Sequence, residues 1–294
     1  MKIKILIIGA TGMLGNALFG QLSKKRNFEA WGTVRNFNPS LFSENLNKKI
    51  ITNIDIENID SLVKVFGEIK PDVVLNCVGL IKQVMGSKET ALAIYMNSYF
   101  PHRLSLLCAA SGARMIHFST DCVFSGKKGM YKETDPSDAE DIYGKTKFLG
   151  EVLDDNCVTI RTSIIGHGLE SHVSLIDWFL AQDKPIRGFT KVIYSGLPTV
   201  EIARIVADYV IPNKRLKGLY HVSAGPISKY DLLKLVAKTY GKRIDIKPFD
   251  DIISDRSLDS TKFKRLASYL PPSWPSLIKK MFKYYKSSDK FTKF

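Results

Sequence analysis

The sequence predicts an α/β protein with a doubly wound parallel sheet and a smaller C-terminal lobe, and three observations carry that prediction. Residues Ile3 to Ile8 form an unbroken apolar run that ends in the glycine-rich turn Gly9-Ala10-Thr11-Gly12-Met13-Leu14-Gly15 and passes directly into a helical pattern, Leu14 to Leu22. A continuous apolar strand is the mark of one buried on both faces, as in a parallel sheet. Strand and helix patterns then alternate as far as Thr162, the order expected of right-handed crossovers. Beyond Thr162 the alternation weakens and prolines divide the chain into short elements.

Taken in order, the strand patterns are Ile3–Ile8, Phe28–Val34, Lys49–Asn53, Val73–Cys77, Arg114–Ser119 and Val158–Thr162. Helical patterns fall between them, notably Ser61–Glu68, Ala91–Ala110 and Tyr143–Leu153. In a sheet of this kind ligands bind outside the carboxyl ends of the strands. The glycine turn, Arg35, Asn76 and Thr120 all fall at or just past such ends. After residue 163, Ser174–Ala181 and Ile202–Tyr209 read as helices, Leu219–Ser223 as a strand, and Ser228–Tyr240 as an amphipathic helix with Ser228 as its cap. Pro198, Pro212, Pro226, Pro248, Pro271, Pro272 and Pro275 interrupt this half. The expected division is residues 1–162 for a dinucleotide-binding unit and 163–294 for a substrate lobe. Part of 195–225 is expected to return to the first unit.

The composition suits a soluble globule: 294 residues, 45% hydrophobic and 24% charged. No apolar run reaches the ~18 residues of a membrane span. The first apolar stretch stops at Gly9, too short for a secretory signal. Cys77, Cys108, Cys122 and Cys157 lack metal-type or disulfide-framework spacing, so reduced thiols, a cytoplasmic setting and no metal are expected. A net charge of +14 suits capture of polyanionic small molecules, although general lysine usage also produces it. No nucleic-acid module accompanies the lysines. The tail from Trp274 carries Leu277, Ile278, Met281, Phe282 and Tyr285 at helical spacing, among Lys279, Lys280, Lys283, Lys286, Lys290 and Lys293. It reads as a helix docked on the lobe rather than one lying in a membrane surface, so no stable membrane insertion is expected.

The glycine turn has the composition of a pyrophosphate seat. Glycines allow close approach of backbone to phosphate, and the following helix offers N–H groups and its dipole. Tyr143 and Lys147, four apart, share a helix face. A phenol titrates near ~10, and a neighbouring ammonium lowers that value. A hydroxyl such as Thr120 can hydrogen-bond the carbonyl oxygen that the phenol protonates. Given a nicotinamide, these are the parts for reducing a ketone.

Gly-x-x-Gly-x-x-Gly, then Ser119-Thr120-Asp121, then Tyr143-x-x-x-Lys147 in that order resemble an extended short-chain dehydrogenase/reductase. The phrase Ser119-Thr120-Asp121-Cys122-Val123-Phe124-Ser125-Gly126 is similar to the dTDP-4-dehydrorhamnose reductase branch. The likeness runs from residue 1 to about 270. It implies a Rossmann-type fold, a nucleotide-sugar substrate, Thr120 as the hydroxyl, Tyr143 as proton donor and Lys147 as the ribose contact that tunes the tyrosine. Gly9, Thr11, Gly12, Met13, Leu14 and Gly15 would hold the dinucleotide. Asp55 and Ile56 would meet its adenine, and Cys77, Val78 and Gly79 would pass beneath it.

An NAD site usually has an acid at the end of the second strand to bind the ribose 2′-hydroxyl. Here the strand ends in Gly32-Thr33-Val34-Arg35, and a guanidinium suits a 2′-phosphate. NADPH is therefore the expected cofactor, with NADH the alternative. Related dehydratases carry Ser-Thr-Asp-Glu; Cys122 in place of that glutamate argues against dehydration. In the GDP-fucose synthase branch, a cysteine at this place works with the histidine of Ser-His-Val to epimerise the sugar. Ser171-His172-Val173 therefore makes Cys122 and His172 a candidate acid–base pair, with His167 a rival imidazole. Asp255-Arg256-Ser257-Leu258 partly resembles the family's Arg-Pro-x-x-Ser-x-Leu, which makes Arg256 the candidate diphosphate contact, ahead of Lys262. The contrasting reading is a non-catalytic regulatory subunit on the same fold, as in one methionine-adenosyltransferase partner. Substrate identity, and whether the chain forms a homodimer, are left open at this level.

Overall fold

The computed structural model of the protein describes residues 1–81, 89–169 and 174–287. Six strands follow the predicted order: β1 Ile3–Ile8, β2 Phe28–Thr33, β3 Ile50–Ile51, β4 Val73–Asn76, β5 Arg114–Ser119 and β6 Cys157–Arg161. They lie side by side as β3-β2-β1-β4-β5-β6, and Gly218–His221 adds a seventh strand beyond β6. Every pairing in this sheet is parallel, which is a Rossmann-type arrangement. The winding direction reverses between β1 and β4, opening the crevice in which such sheets bind ligands.

Successive β1 side chains enter opposite cores. Ile5 and Ile7 pack with Leu14, Leu18 and Phe19 of helix α1 (Met13–Leu22) and with Ile202 and Ile205. Leu6 and Ile8 pack with Leu62, Val65, Phe66 and Leu104 on the other face. Burial on both faces is why the strand is apolar throughout.

Two helices of the first half differ from expectation, and one proline links the differences. The stretch expected as one helix, Ala91–Ala110, is helical over Thr90–Ala93 and Phe100–Ala110 with a π-helical turn at Ile94–Tyr99 between. Pro101 lacks an N–H and cannot bond the carbonyl four residues back, Asn97 O, so the turn widens. Gly150 closes on that carbonyl: a Cβ there would lie 1.8 Å from it. The Tyr143 helix accordingly runs only over Ile142–Leu149, not to Leu153, opening on Asp141, which accepts from Gly144 N at 2.8 Å.

In the C-terminal half, Ser228 caps the helix Lys229–Tyr240 by accepting from Asp231 N at 3.0 Å. The strand Val192–Tyr194 pairs with Ile227–Ser228 on one side and Ser254–Asp255 on the other. The tail helix Trp274–Ser287 buries Leu277, Ile278, Met281 and Tyr285, and Lys280 reaches the buried Glu201 at 3.1 Å, so it docks on the protein. Lys290 and Lys293 lie outside the described residues. No helix among the described residues is long and apolar enough to cross a membrane.

Candidate active site

Thr120 ends β5 and caps a short turn, Asp121–Val123. Its Oγ1 accepts from Cys122 N at 3.1 Å and donates to Asp121 Oδ1 at 3.2 Å. The helix bearing Tyr143 lies hard against this turn, since a Cβ on Gly144 would be 2.2 Å from Cys122 O. That approach brings the Tyr143 phenol within reach of the Thr120 hydroxyl. Burial raises the phenol's pKa, the neighbouring Cys122 adds to the rise, and the Thr120 hydrogen bond opposes it.

Lys147, one turn further on, is buried, and its ammonium donates to Phe118 O at 2.7 Å. Burial lowers its pKa to about 8, against the neighbouring Glu151 carboxylate, which favours protonation. After burial itself, the groups that shift the phenol most are Cys122, Thr120, Asp121 and Asp141. Beneath the lysine, Glu151 forms a buried bidentate pair with Arg161 at 2.6 Å and accepts from Ser119 Oγ at 2.6 Å.

The turn after β4 closes the other side. A Cβ on Gly79 would lie 3.2 Å from Asn97 Oδ1 and 3.9 Å from Lys147 Nζ. Asn97, wholly buried on the π turn, accepts from Leu80 N at 2.8 Å and donates to Leu80 O at 3.1 Å and Thr146 Oγ1 at 3.3 Å. It ties the turn Cys77-Val78-Gly79 to the Tyr143 helix. The reading of the sequence missed both Asn97 and Glu151. The available signals were Pro101 four residues after Asn97, and Glu151 four residues after Lys147.

The glycine turn fits a dinucleotide. Gly9 has φ +85°, and a Cβ on Gly15 would lie 2.1 Å from Gly9 O, so the turn closes only without side chains. Helix α1 opens on Gly12 with no side-chain cap and no acid in its first turn, leaving its N–H groups and positive dipole end for an anion. Thr11 and Met13 flank Gly12, while Leu14 packs into the core. Arg35 is exposed just past β2 and makes no side-chain hydrogen bond or ion pair among the described residues. Asp55 is exposed nearby, its Oδ1 accepting from Glu57 N at 3.0 Å, and Ile56 O accepts from Tyr95 at 2.8 Å. These features suit an anionic dinucleotide carrying a 2′-phosphate.

On the lobe side, Arg256 Nε donates to Phe124 O at 2.8 Å. It forms no ion pair with Asp255 or Asp259, whose carboxylates accept from Ser257 N and Thr261 N. Lys262 donates to Leu219 O at the sheet's edge and covers Tyr220, away from the turn. His167 is held by its neighbours: its ring nitrogens meet Asp177 Oδ1 at 2.5 Å and the Tyr240 hydroxyl at 2.9 Å, against Tyr285. His172 lies outside the described residues. Burial, with Asp121 beside it, pushes the Cys122 thiol up to about 12. It is then a neutral thiol near pH 7 and a weak base. Among the described residues no cluster could hold a metal ion.

A family model described as RmlD substrate binding domain matches residues 3–286. The chain belongs to that family. It is an oxidoreductase of the extended short-chain dehydrogenase/reductase type, in the dTDP-4-dehydrorhamnose reductase-like branch. Spore coat polysaccharide biosynthesis protein SpsK of Bacillus subtilis is 29% identical over 277 residues, covering 87% of this chain and 90% of that protein. dTDP-4-dehydrorhamnose reductase of Salmonella typhimurium is 26% identical over 306 residues, 94% of this chain and 96% of that one. The crystal structure of dTDP-4-dehydrorhamnose reductase from Bacillus anthracis, in complex with NADP, aligns with a TM-score of 0.78 at 23% identity, over 97% of this chain and 99% of that one. That likeness is one of fold.

Proposed function

We propose that the protein is an NADPH-dependent reductase of a nucleotide-activated 4-keto-6-deoxysugar, linked to dTDP, UDP or GDP, serving deoxysugar or surface-polysaccharide synthesis in the cytoplasm. The observation that carries this reading is the convergence of Thr120, Tyr143 and Lys147 at the mouth of the β1/β4 crevice, beside a glycine turn fitted to a dinucleotide. The two named relatives, a sugar-nucleotide reductase and a polysaccharide-synthesis protein, support it.

Bound NADPH supplies the hydride. Tyr143, whose phenol burial keeps protonated at neutral pH, gives its proton to the carbonyl oxygen. The Thr120 hydroxyl, freed from Asp121, hydrogen-bonds that oxygen and fixes its direction. Lys147, charged at pH 7 with a pKa of about 8, would hold the ribose with its ammonium, and Glu151 favours that charge. Arg35 holds the 2′-phosphate. Residues 163–294, apart from the part of 195–225 that returns to the first unit, hold the sugar-nucleotide. The high Cys122 pKa disfavours an epimerase step. The intact triad disfavours a purely regulatory subunit.

Tyr143→Phe tests the reading. NADPH oxidation with dTDP-, UDP- and GDP-linked 4-keto sugars should fall about 100-fold or more for the accepted substrate, while NADPH affinity stays near that of the parent. Full turnover in the variant would overturn the assignment.

A further inference from the structure

We infer that Lys229 is a substrate-positioning residue that joins Arg256 in holding the diphosphate of the nucleotide-sugar. The inference rests on the proposed function and adds a contact to it. Ser228 and Asp255 both sit opposite Ile193, on its two sides. Lys229 and Arg256, each one residue further on, are thereby fixed on the two flanks of one narrow sheet.

Arg256 is built into the loop that follows Thr120. Its Nε bonds Phe124 O, and its Cγ lies 3.1 Å from where a Cβ on Gly126 would stand, at φ +89°. Lys229 opens its helix and is only partly exposed. Burial lowers the pKa of its ammonium, with Asp121 opposing the fall and Arg256 adding to it. Neither Lys229 nor Arg256 forms an ion pair with any described residue. The acid both of them feel is Asp121, whose own ionisation burial opposes. The two cations thus share Asp121, the residue after Thr120, as their common acid. Taking an ammonium partly out of water with no counter-ion is unfavourable, and an anionic ligand relieves it. A diphosphate supplies two negative charges at fixed spacing, one for each cation. The cofactor's own pyrophosphate is directed to the helix α1 terminus, leaving the nucleotide-sugar's diphosphate as the group that fits.

Calorimetric titration of dTDP, UDP and GDP, their monophosphates and NADPH into the parent, Lys229→Met and Lys229→Arg tests this. The preferred nucleoside diphosphate should bind Lys229→Met about 10- to 100-fold more weakly, and its monophosphate should lose far less. NADPH affinity should hold, and Lys229→Arg should recover most of the loss. With the sugar-nucleotide, KM should rise in step while kcat changes little. Unchanged diphosphate affinity in Lys229→Met, or an equal loss of NADPH affinity, overturns the assignment to Lys229. A parent that binds none of the nucleoside diphosphates overturns the sugar-nucleotide reading itself, and this inference with it.

Discussion

Replacing Lys147 by Met should separate stability from activity, with a sign that depends on pH. Burial lowers the Lys147 pKa from its ordinary 10.5 to about 8. At about 1.4 kcal/mol per pH unit, that gap costs the fold about 3 kcal/mol whenever the lysine is charged in both states. The unfolded chain binds more protons between pH 8 and 10.5, so the penalty is complete below pH 8 and fades as pH rises through that window. Between pH 7 and 9.5 the parent should recover about 2 kcal/mol from this group alone. Methionine, of similar length and uncharged, carries no such term. It does leave Phe118 O without its 2.7 Å partner, a loss of about 1–3 kcal/mol that does not vary with pH. Urea unfolding of parent and variant at the two pH values isolates the titrating part. The margin of Lys147→Met over the parent should shrink by about 2 kcal/mol from pH 7 to pH 9.5, and the variant should be inactive at both. A margin that stays constant with pH would refute the argument that the lysine is held charged against its burial.

Gly15→Ala would put a Cβ 2.1 Å from Gly9 O; Tm should fall by about 6 °C or more and NADPH binding should be lost, and a Tm within about 1 °C of the parent's would contradict the packing of the turn. Arg35→Ala should weaken NADPH by about 1–3 kcal/mol and leave NADH unchanged, measured by fluorescence titration. A parent that prefers NADH would remove the basis for a 2′-phosphate contact.

Much of the fold could be read from local sequence because its determinants are local. β1 is apolar at every position because both faces are buried, and the turn after it needs glycines because Gly15 backs onto Gly9 O. Tyr143 and Lys147 declare a shared face by spacing alone, and the missing acid after β2 is visible as the residue Arg35. What surrounds those groups is decided by contacts between distant segments. Pro101 frees Asn97 O, Gly150 packs on it, and the Tyr143 helix stops there, so the helix length depends on a residue more than forty positions away. That the His167 ring is bound to Asp177 and Tyr240 has no trace in its local sequence. The Glu151–Arg161 pair exists only once the end of the Tyr143 helix packs beside β6, and Lys229 and Arg256 come together only once the lobe folds over the sheet. Periodicity and turn chemistry act within a few residues and leave a trace in the sequence. Burial and electrostatic environment are set by whatever the chain brings alongside, and only the tertiary structure determines that.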